Sequence, residues 1–173
     1  MKSKKQRILI TGCAGFIGSH LTLRLLNNKK YKVYGIDNIN NYYDLNLKKD
    51  RLAILKQNKN FNFYKINIEI NNQVLKNFRR IKYDYIIHLA AQAGVRHSIT
   101  NPRPYLDANI NGFFNILDAA RLIKVKHLIY ASTSSVYGES NKFPLRENYP
   151  TSSPSSFYAA TKKANEVMAY AYS

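Results

Sequence analysis

Short, near-continuous apolar runs alternate with amphipathic stretches along almost the whole chain, and that alternation restricts the folds open to it. Residues 7–11, 32–36, 61–68, 85–90 and 127–131 read as strands rich in Ile, Leu, Val, Tyr and Phe. Between them, residues 16–28, 45–56, 72–80 and 104–123 carry apolar side chains at helical spacing, as Ile17, Leu21 and Leu25 do on one face. A last helix over 158–170 follows a loop rich in Ser and Pro. Strands that are apolar on both faces need cover on both sides. The pattern therefore predicts an α/β fold, a Rossmann-type doubly wound parallel sheet. Right-handed crossovers give the strand order 3-2-1-4-5. No internal repeat interrupts the pattern, so one domain over 1–173 is expected.

Bulk properties exclude several classes. The longest apolar run, over 85–91, is far short of the roughly 18 residues that cross a bilayer. The basic start, Met1 to Arg7, and the Cys13 that follows Ile10-Thr11-Gly12 superficially resemble a lipoprotein signal. Only Ile8, Leu9 and Ile10 lie between as an apolar core, less than the roughly seven residues of a secretory signal. A buried first strand explains the same residues, and no membrane association is expected. Cys13 is the single cysteine, which rules out an internal disulfide and a cysteine-rich zinc site and fits a reducing cytoplasm. The formal charge is +17, from 27 basic and 10 acidic residues. Its lysines are scattered, with no basic stripe interleaved with aromatics and no nucleic-acid-binding motif, so a solvated basic surface is expected rather than a nucleic-acid partner.

Immediately after the first strand stands Thr11-Gly12-Cys13-Ala14-Gly15-Phe16-Ile17-Gly18, a GxxGxxG form of the dinucleotide fingerprint. Gly12 permits the tight turn out of the strand, Gly15 lets backbone approach a pyrophosphate, and Gly18 lets the helix lie close on the sheet. The helix N-terminus then aims free N–H groups at the phosphates. Asp37 ends the second strand 19 residues beyond Gly18, where a carboxylate accepts the adenosine ribose hydroxyls. The competing reading of Asp37 is a turn former before Asn38. Its negative charge opposes a 2′-phosphate, so NAD is expected rather than NADP.

A second chemical signal is Tyr158-Ala159-Ala160-Thr161-Lys162. Tyr158 and Lys162, four apart, share one helix face and reach one ligand. A phenol titrates near pH 10 and is a poor base at neutrality, but a nearby ammonium and a positive nicotinamide ring stabilise the phenolate. Upstream, Ser132-Thr133-Ser134-Ser135-Val136-Tyr137-Gly138 places hydroxyls at the carboxyl end of the fifth strand, beside the crevice where open α/β sheets bind ligands.

Taken in order, GxxGxxG, the Ser/Thr run and YxxxK resemble the extended short-chain dehydrogenase/reductases, the NAD-dependent epimerase/dehydratase family. The likeness is closer to the UDP-glucuronate 4-epimerases. Residues 36–44 (IDNINNYYD), 88–96 (HLAAQAGVR) and 158–166 (YAATKKANE) resemble segments of those enzymes. The resemblance implies that Tyr158 removes the proton of the sugar 4-hydroxyl while hydride passes to NAD, with Thr133 bonded to that hydroxyl. Lys162 holds the nicotinamide ribose, and the 4-keto sugar turns over and takes hydride back on its other face. It further places Phe16, Ile17, Asn38, Asn67 and Ile68 at the cofactor. Leu89, Ala90, Ala91 and Asn109 join them there, and Arg96 lies near the substrate, where it holds an anionic group or forms a structural ion pair. Dehydratases of this kind carry an Asp-Glu pair after the Thr, and decarboxylases a Glu before the Val-Tyr-Gly. Here Ser134 and Ser135 stand there, which implies an epimerase, of UDP-glucuronate first and UDP-glucose second.

Three departures accompany the likeness. Asn67 stands where the family usually has an Asp that contacts adenine, and His97 where a Tyr is usual. The third is length: relatives continue for roughly as many residues again, so the resemblance implies a Rossmann lobe truncated before the C-terminal substrate lobe. It also implies either a homodimer, through the helices after the fourth strand and around Tyr158, or a complementing C-terminal chain. The alternative is an NAD-binding module without turnover of its own.

Overall fold

The computed structural model describes residues 5–140 and 142–173; residues 2–4 of the basic cluster at 2–7 lie outside them. Five strands form one parallel sheet, β1 (Gln6–Thr11), β2 (Tyr31–Asp37), β3 (Phe61–Lys65), β4 (Tyr85–His88) and β5 (His127–Tyr130), in the order β3-β2-β1-β4-β5. This is the order that right-handed crossovers predict. The register pairs Ile8 with Val33, Ile10 with Ile87 and Ile87 with Ile129.

Alternation along the central strands builds two cores, one per face. Ile8, Ile10 and Val33 pack with Leu26 of α1 (Phe16–Leu26) and with Leu52 and Leu55 of α2 (Leu45–Lys56). Leu9, Ile36 and Ile86 pack on the other face with Val74, Phe78 and Ile81 of α3 (Asn71–Ile81) and Ile116 of α6 (Phe113–Ile123). Val74, Phe78 and Ile81 recur at helical spacing, which is why α3 buries one stripe although its mean hydropathy is low. Mid-sheet, a Cβ on Gly35 would come within 2.5 Å of Cys13 Sγ and 2.8 Å of Phe61. The bare backbone of β2 thus makes room for the turn that leaves β1.

The ends of several elements differ from the sequence expectation. β4 stops at His88 instead of running to residue 90, because Gly12 turns β1 away and the Thr11 hydroxyl takes over, accepting from Leu89 N at 3.1 Å and Ala90 N at 3.0 Å. β3 stops at Lys65 instead of residue 68: beyond the last bond to β2, from Ile66 N to Asp37 O, the Asn67 side chain caps a turn at Glu69. A helix α4 (Val95–Thr100) was not expected. The helix expected over 104–123 is in three continuous pieces, α5 (Arg103–Tyr105), a π-wound stretch Leu106–Gly112 and α6. Long-range bonds explain the widened winding: the Asn109 carbonyl accepts from Asn165 Nδ2 at 2.6 Å, and a Cβ on Gly112 would meet Ile68 at 2.7 Å. After β5, a 3-10 turn Ser134–Tyr137 and a loop lead to α7 (Phe157–Ala171), capped by Ser156 Oγ accepting from Ala159 N.

Candidate active site at the carboxyl end of the sheet

The glycine turn is built by exclusion. Gly12 has φ +70°, and a Cβ there would lie 2.8 Å from Ala90 N, so β1 can leave the sheet beside β4 only with glycine. A Cβ on Gly18 would fall inside the Gly12 carbonyl. At Gly18 the closest approach of α1 is thus to the turn backbone at Gly12 and Cys13. Gly15 is the N-cap residue of α1 and offers no side-chain cap. Phe16 and Ile17 follow, 67% and 64% exposed, and no side chain caps the first-turn N–H groups.

Asp37 faces this turn. Its carboxylate is fixed by two backbone donors, Ala14 N to Oδ2 at 3.1 Å and Ile39 N to Oδ1 at 2.9 Å. Both the turn-former reading and the ligand reading of Asp37 are thus compatible with its local bonds, since each oxygen keeps a free lone pair. A cleft of about 200 Å³ runs between the turn and the β3 and β4 ends. Gly12, Gly15, Asp37 and Asn38 line one side, and Ile68, Leu89, Ala90 and Ala91 the other. Eight of the expected cofactor residues are thereby brought together from four separate segments.

Sequence reasoning missed a cation cluster at this end. Lys48, buried on α2, donates to the Asn40 carbonyl at 2.9 Å and its Oδ1 at 2.6 Å, and lies 4.4 Å from the centre of the Tyr43 ring. Burial pushes its pKa down. Arg51, one turn on, reaches Tyr43 OH at 3.3 Å and Ala14 O at 3.4 Å. The segment 36–44 carried the signal, but Lys48 and Arg51 looked like solvated helix residues.

The other end of the site is made of side chains from distant segments. Tyr158 and Lys162 lie one turn apart on α7, and Thr133 caps the 3-10 turn, accepting from Ser135 N at 3.2 Å. Lys162 is only 3% exposed, and burial pushes its pKa down to about 8 against an opposing pull from Glu166. Burial, reinforced by the Lys162 charge, pushes His88 down to about 3, so its imidazole is neutral. Thr11 Oγ1 already accepts two N–H bonds and so donates to His88 Nδ1 at 2.8 Å, which puts the ring proton on Nε2. The half-buried Tyr158 takes its orientation from two contacts. Its N–H donates to Ser98 Oγ at 3.0 Å, and its ring meets Tyr105 edge-on at 6.1 Å.

Three expected site residues are placed away from the cleft. Asn109 is buried in the π-wound stretch with its amide fully used: Oδ1 accepts from Gln92 N at 2.8 Å, and Nδ2 donates to Gln92 O and to Thr161 Oγ1. It joins the β4 loop to α7. Asn67 turns toward Glu69, donating from Nδ2 to Oε2 at 3.1 Å. Arg96 is exposed on α4, and among the described residues no carboxylate pairs with it. His97, at the same helix, lies 3.2 Å from Tyr105 OH through Nδ1. Among the described residues no helix is long and apolar enough to cross a membrane, and no cluster of His, Cys, Asp or Glu could hold a metal ion.

Known proteins share this arrangement. The family profile described as GDP-mannose 4,6 dehydratase matches residues 9–173. Protein CapI of Staphylococcus aureus is 49% identical over 167 residues, covering 96% of this chain and 49% of that protein. The UDP-glucuronate 4-epimerase of Thermodesulfobacterium geofontis is 46% identical over 165 residues, covering 95% of this chain and 50% of that one. Among solved structures, the UDP-glucuronic acid 4-epimerase of Bacillus cereus, in complex with UDP-glucuronic acid and NAD, superposes with a TM-score of 0.88 at 38% identity. That match covers 96% of this chain and 52% of its own. The chain spans about half the length of the curated relatives it matches. With a profile match over nearly its whole length, a glycine turn no other residue could make and a parallel sheet in the order 3-2-1-4-5, the chain belongs to the NAD-dependent epimerase/dehydratase family.

Proposed function

We propose that this chain is the NAD-binding half of a UDP-sugar 4-epimerase acting on UDP-glucuronate. The observation that carries the reading is one cleft in which a Cβ-free turn at Gly12 and Gly15 faces a fixed carboxylate at Asp37. A pyrophosphate fits that bare backbone and the free N–H groups of α1, and ribose hydroxyls fit the remaining lone pairs of Asp37. Asn38, Ile68, Leu89, Ala90 and Ala91 line the same cofactor, with Phe16 and Ile17 contributing backbone N–H. Lys162 holds the nicotinamide ribose. NAD supplies the hydride acceptor, and then the donor, at the sugar carbon. Tyr158 takes the proton of the 4-hydroxyl as the carbonyl forms and returns it after the 4-keto sugar has turned over. Thr133 bonds the same hydroxyl, and the exposed guanidinium of Arg96 suits the sugar carboxylate. Ser134 and Ser135 supply no carboxyl acid for elimination of water, which favours epimerisation over dehydration.

The curated relatives are about twice as long as this chain. Apolar side chains exposed on α6 and α7, Phe114, Val167 and Tyr170, fit a homodimer contact; light scattering of a dimer supports this and a monomer at high concentration opposes it. The first test is a thermal-shift titration with NAD, and with NADP as control. NAD at about 100 times its dissociation constant stabilises the fold by roughly 2.7 kcal/mol. A melt that NAD does not move overturns the reading. UDP-glucuronate and UDP-glucose are then offered with NAD: formation of UDP-galacturonate identifies the substrate, and UDP-galactose alone reassigns it. Saturable NAD binding with no product identifies a cofactor module that needs a complementing chain.

A further inference from the structure

The role of Glu166 is not explained by cofactor or sugar binding. Tyr158, Lys162 and Glu166 follow one another at four-residue steps and so form one stripe along α7. Where that stripe reaches the end of β5, Ser132 Oγ donates to Glu166 Oε1 at 2.6 Å. The other oxygen, Oε2, accepts from Lys163 Nζ at 2.9 Å, and Lys163 donates also to Thr151 Oγ1 at 2.6 Å, in the loop that leads into α7. Ser132 immediately precedes Thr133. One carboxylate therefore joins the strand end, the incoming loop and the helix.

We propose that Glu166 is a positioning residue that clamps the strand end bearing Thr133 against the helix bearing Tyr158 and Lys162. The inference rests on the reading of those three residues given above. The geometry has an electrostatic companion. Partial burial pushes the Glu166 carboxyl up, but bonds from Ser132 and Lys163 and the Lys162 charge outweigh it and hold it below the usual carboxylate range. Glu166 in turn opposes the effect of burial on Lys162. His88 on β4 also feels the Lys162 charge, and Tyr130 on β5 feels Glu166 and Lys163. Glu166 thus keeps an ammonium at Lys162 to higher pH than burial beside His88 would allow.

The test uses the full chain and reads the Lys162 side-chain resonance against pH by NMR, without cofactor, its assignment fixed by Lys162→Arg. In the wild type the midpoint is expected near 8, since burial lowers the Lys162 pKa. Glu166→Gln, which keeps the shape and removes the charge, is expected to lower it, while Glu166→Asp restores it. Calorimetry with NAD is expected to show on the order of a few-fold weaker binding for Glu166→Gln. Ser132→Ala removes only the clamp on the strand, and amide exchange at Thr133 and Ser135 is expected to speed up. An unmoved Lys162 midpoint in Glu166→Gln, or unchanged exchange in Ser132→Ala, overturns the proposal. Because both readings are made without NAD, failure of the wild type to bind NAD counts against the cofactor site alone.

Discussion

The two ends of the site are built by different means. At the glycine end, backbone does the work: Gly12, Gly15 and Gly18 act by lacking a Cβ, and Asp37 is held by two backbone N–H groups. At the α7 end, side chains do it: Ser98, Asn109, Thr161 and Glu166, from three different elements, bond around the residues that carry Tyr158, Lys162 and Thr133. A backbone site fails when one atom is added, because backbone cannot step aside. A side-chain site fails by degrees, as each lost bond leaves its partner unsatisfied.

The largest expected effect tests the first half of that contrast. Gly18→Ala drives a methyl into the Gly12 carbonyl and is expected to cost about 3 kcal/mol, measured as a fall in urea midpoint at unchanged slope. Substitution with less than about 0.5 kcal/mol of loss would mean that the turn yields, and the contrast between the two ends would break. Next, Asn109→Ala removes three bonds that tie Gln92 and Thr161 together, and leaves buried groups without partners. Its expected cost is about 2 kcal/mol, with faster amide exchange in the N-terminal turns of α7 and none at Gly12. Exchange that rises equally at both ends would show that they are not independent. A smaller effect is expected for Asp37→Asn, which keeps the turn but removes the charge. Its NAD affinity should drop about tenfold, near 1.4 kcal/mol, with the preference over NADP reduced. An unchanged ratio of the two cofactors by calorimetry would remove Asp37 from the site.

The last prediction is a change of slope. His88 is held neutral, its folded pKa near 3 lying below the ordinary value of 6.5. Between those values the unfolded chain binds a proton that the folded chain refuses, so stability rises with pH there. The contribution is complete above pH 6.5 and is lost as pH falls toward 3. One proton gives a slope of at most about 1.4 kcal/mol per pH unit. His88→Gln should flatten the acid limb of denaturant midpoint against pH; an identical limb in the variant would mean that His88 is not kept neutral by the fold. Lys162 works in the same sense at higher pH. Its burial disfavours the folded state below about 8, and that penalty is relieved as pH rises from there toward 10.5.

The sequence by itself determined the sheet and the glycine end. Strand order follows from the alternation of doubly apolar strands with helices and from the hand of the crossovers, both local properties of the chain. Gly12, Gly15, Gly18 and Asp37 were legible for the same reason: a tight turn between a strand and a helix needs those residue types at that spacing. YxxxK was legible as a helix face. Only the tertiary structure decided where β3 and β4 stop, since the Thr11 hydroxyl and the Asn67 turn replace a ladder that the apolar pattern would have continued. It alone decided the π winding at Leu106–Gly112, which depends on Asn165 more than fifty residues later in the chain. The buried Lys48, the tie through Asn109 and the clamp at Glu166 belong with these. A charged or amide side chain on a helix looks the same in sequence whether it faces water or a partner, and only folding settles which polar groups must find each other once water has left.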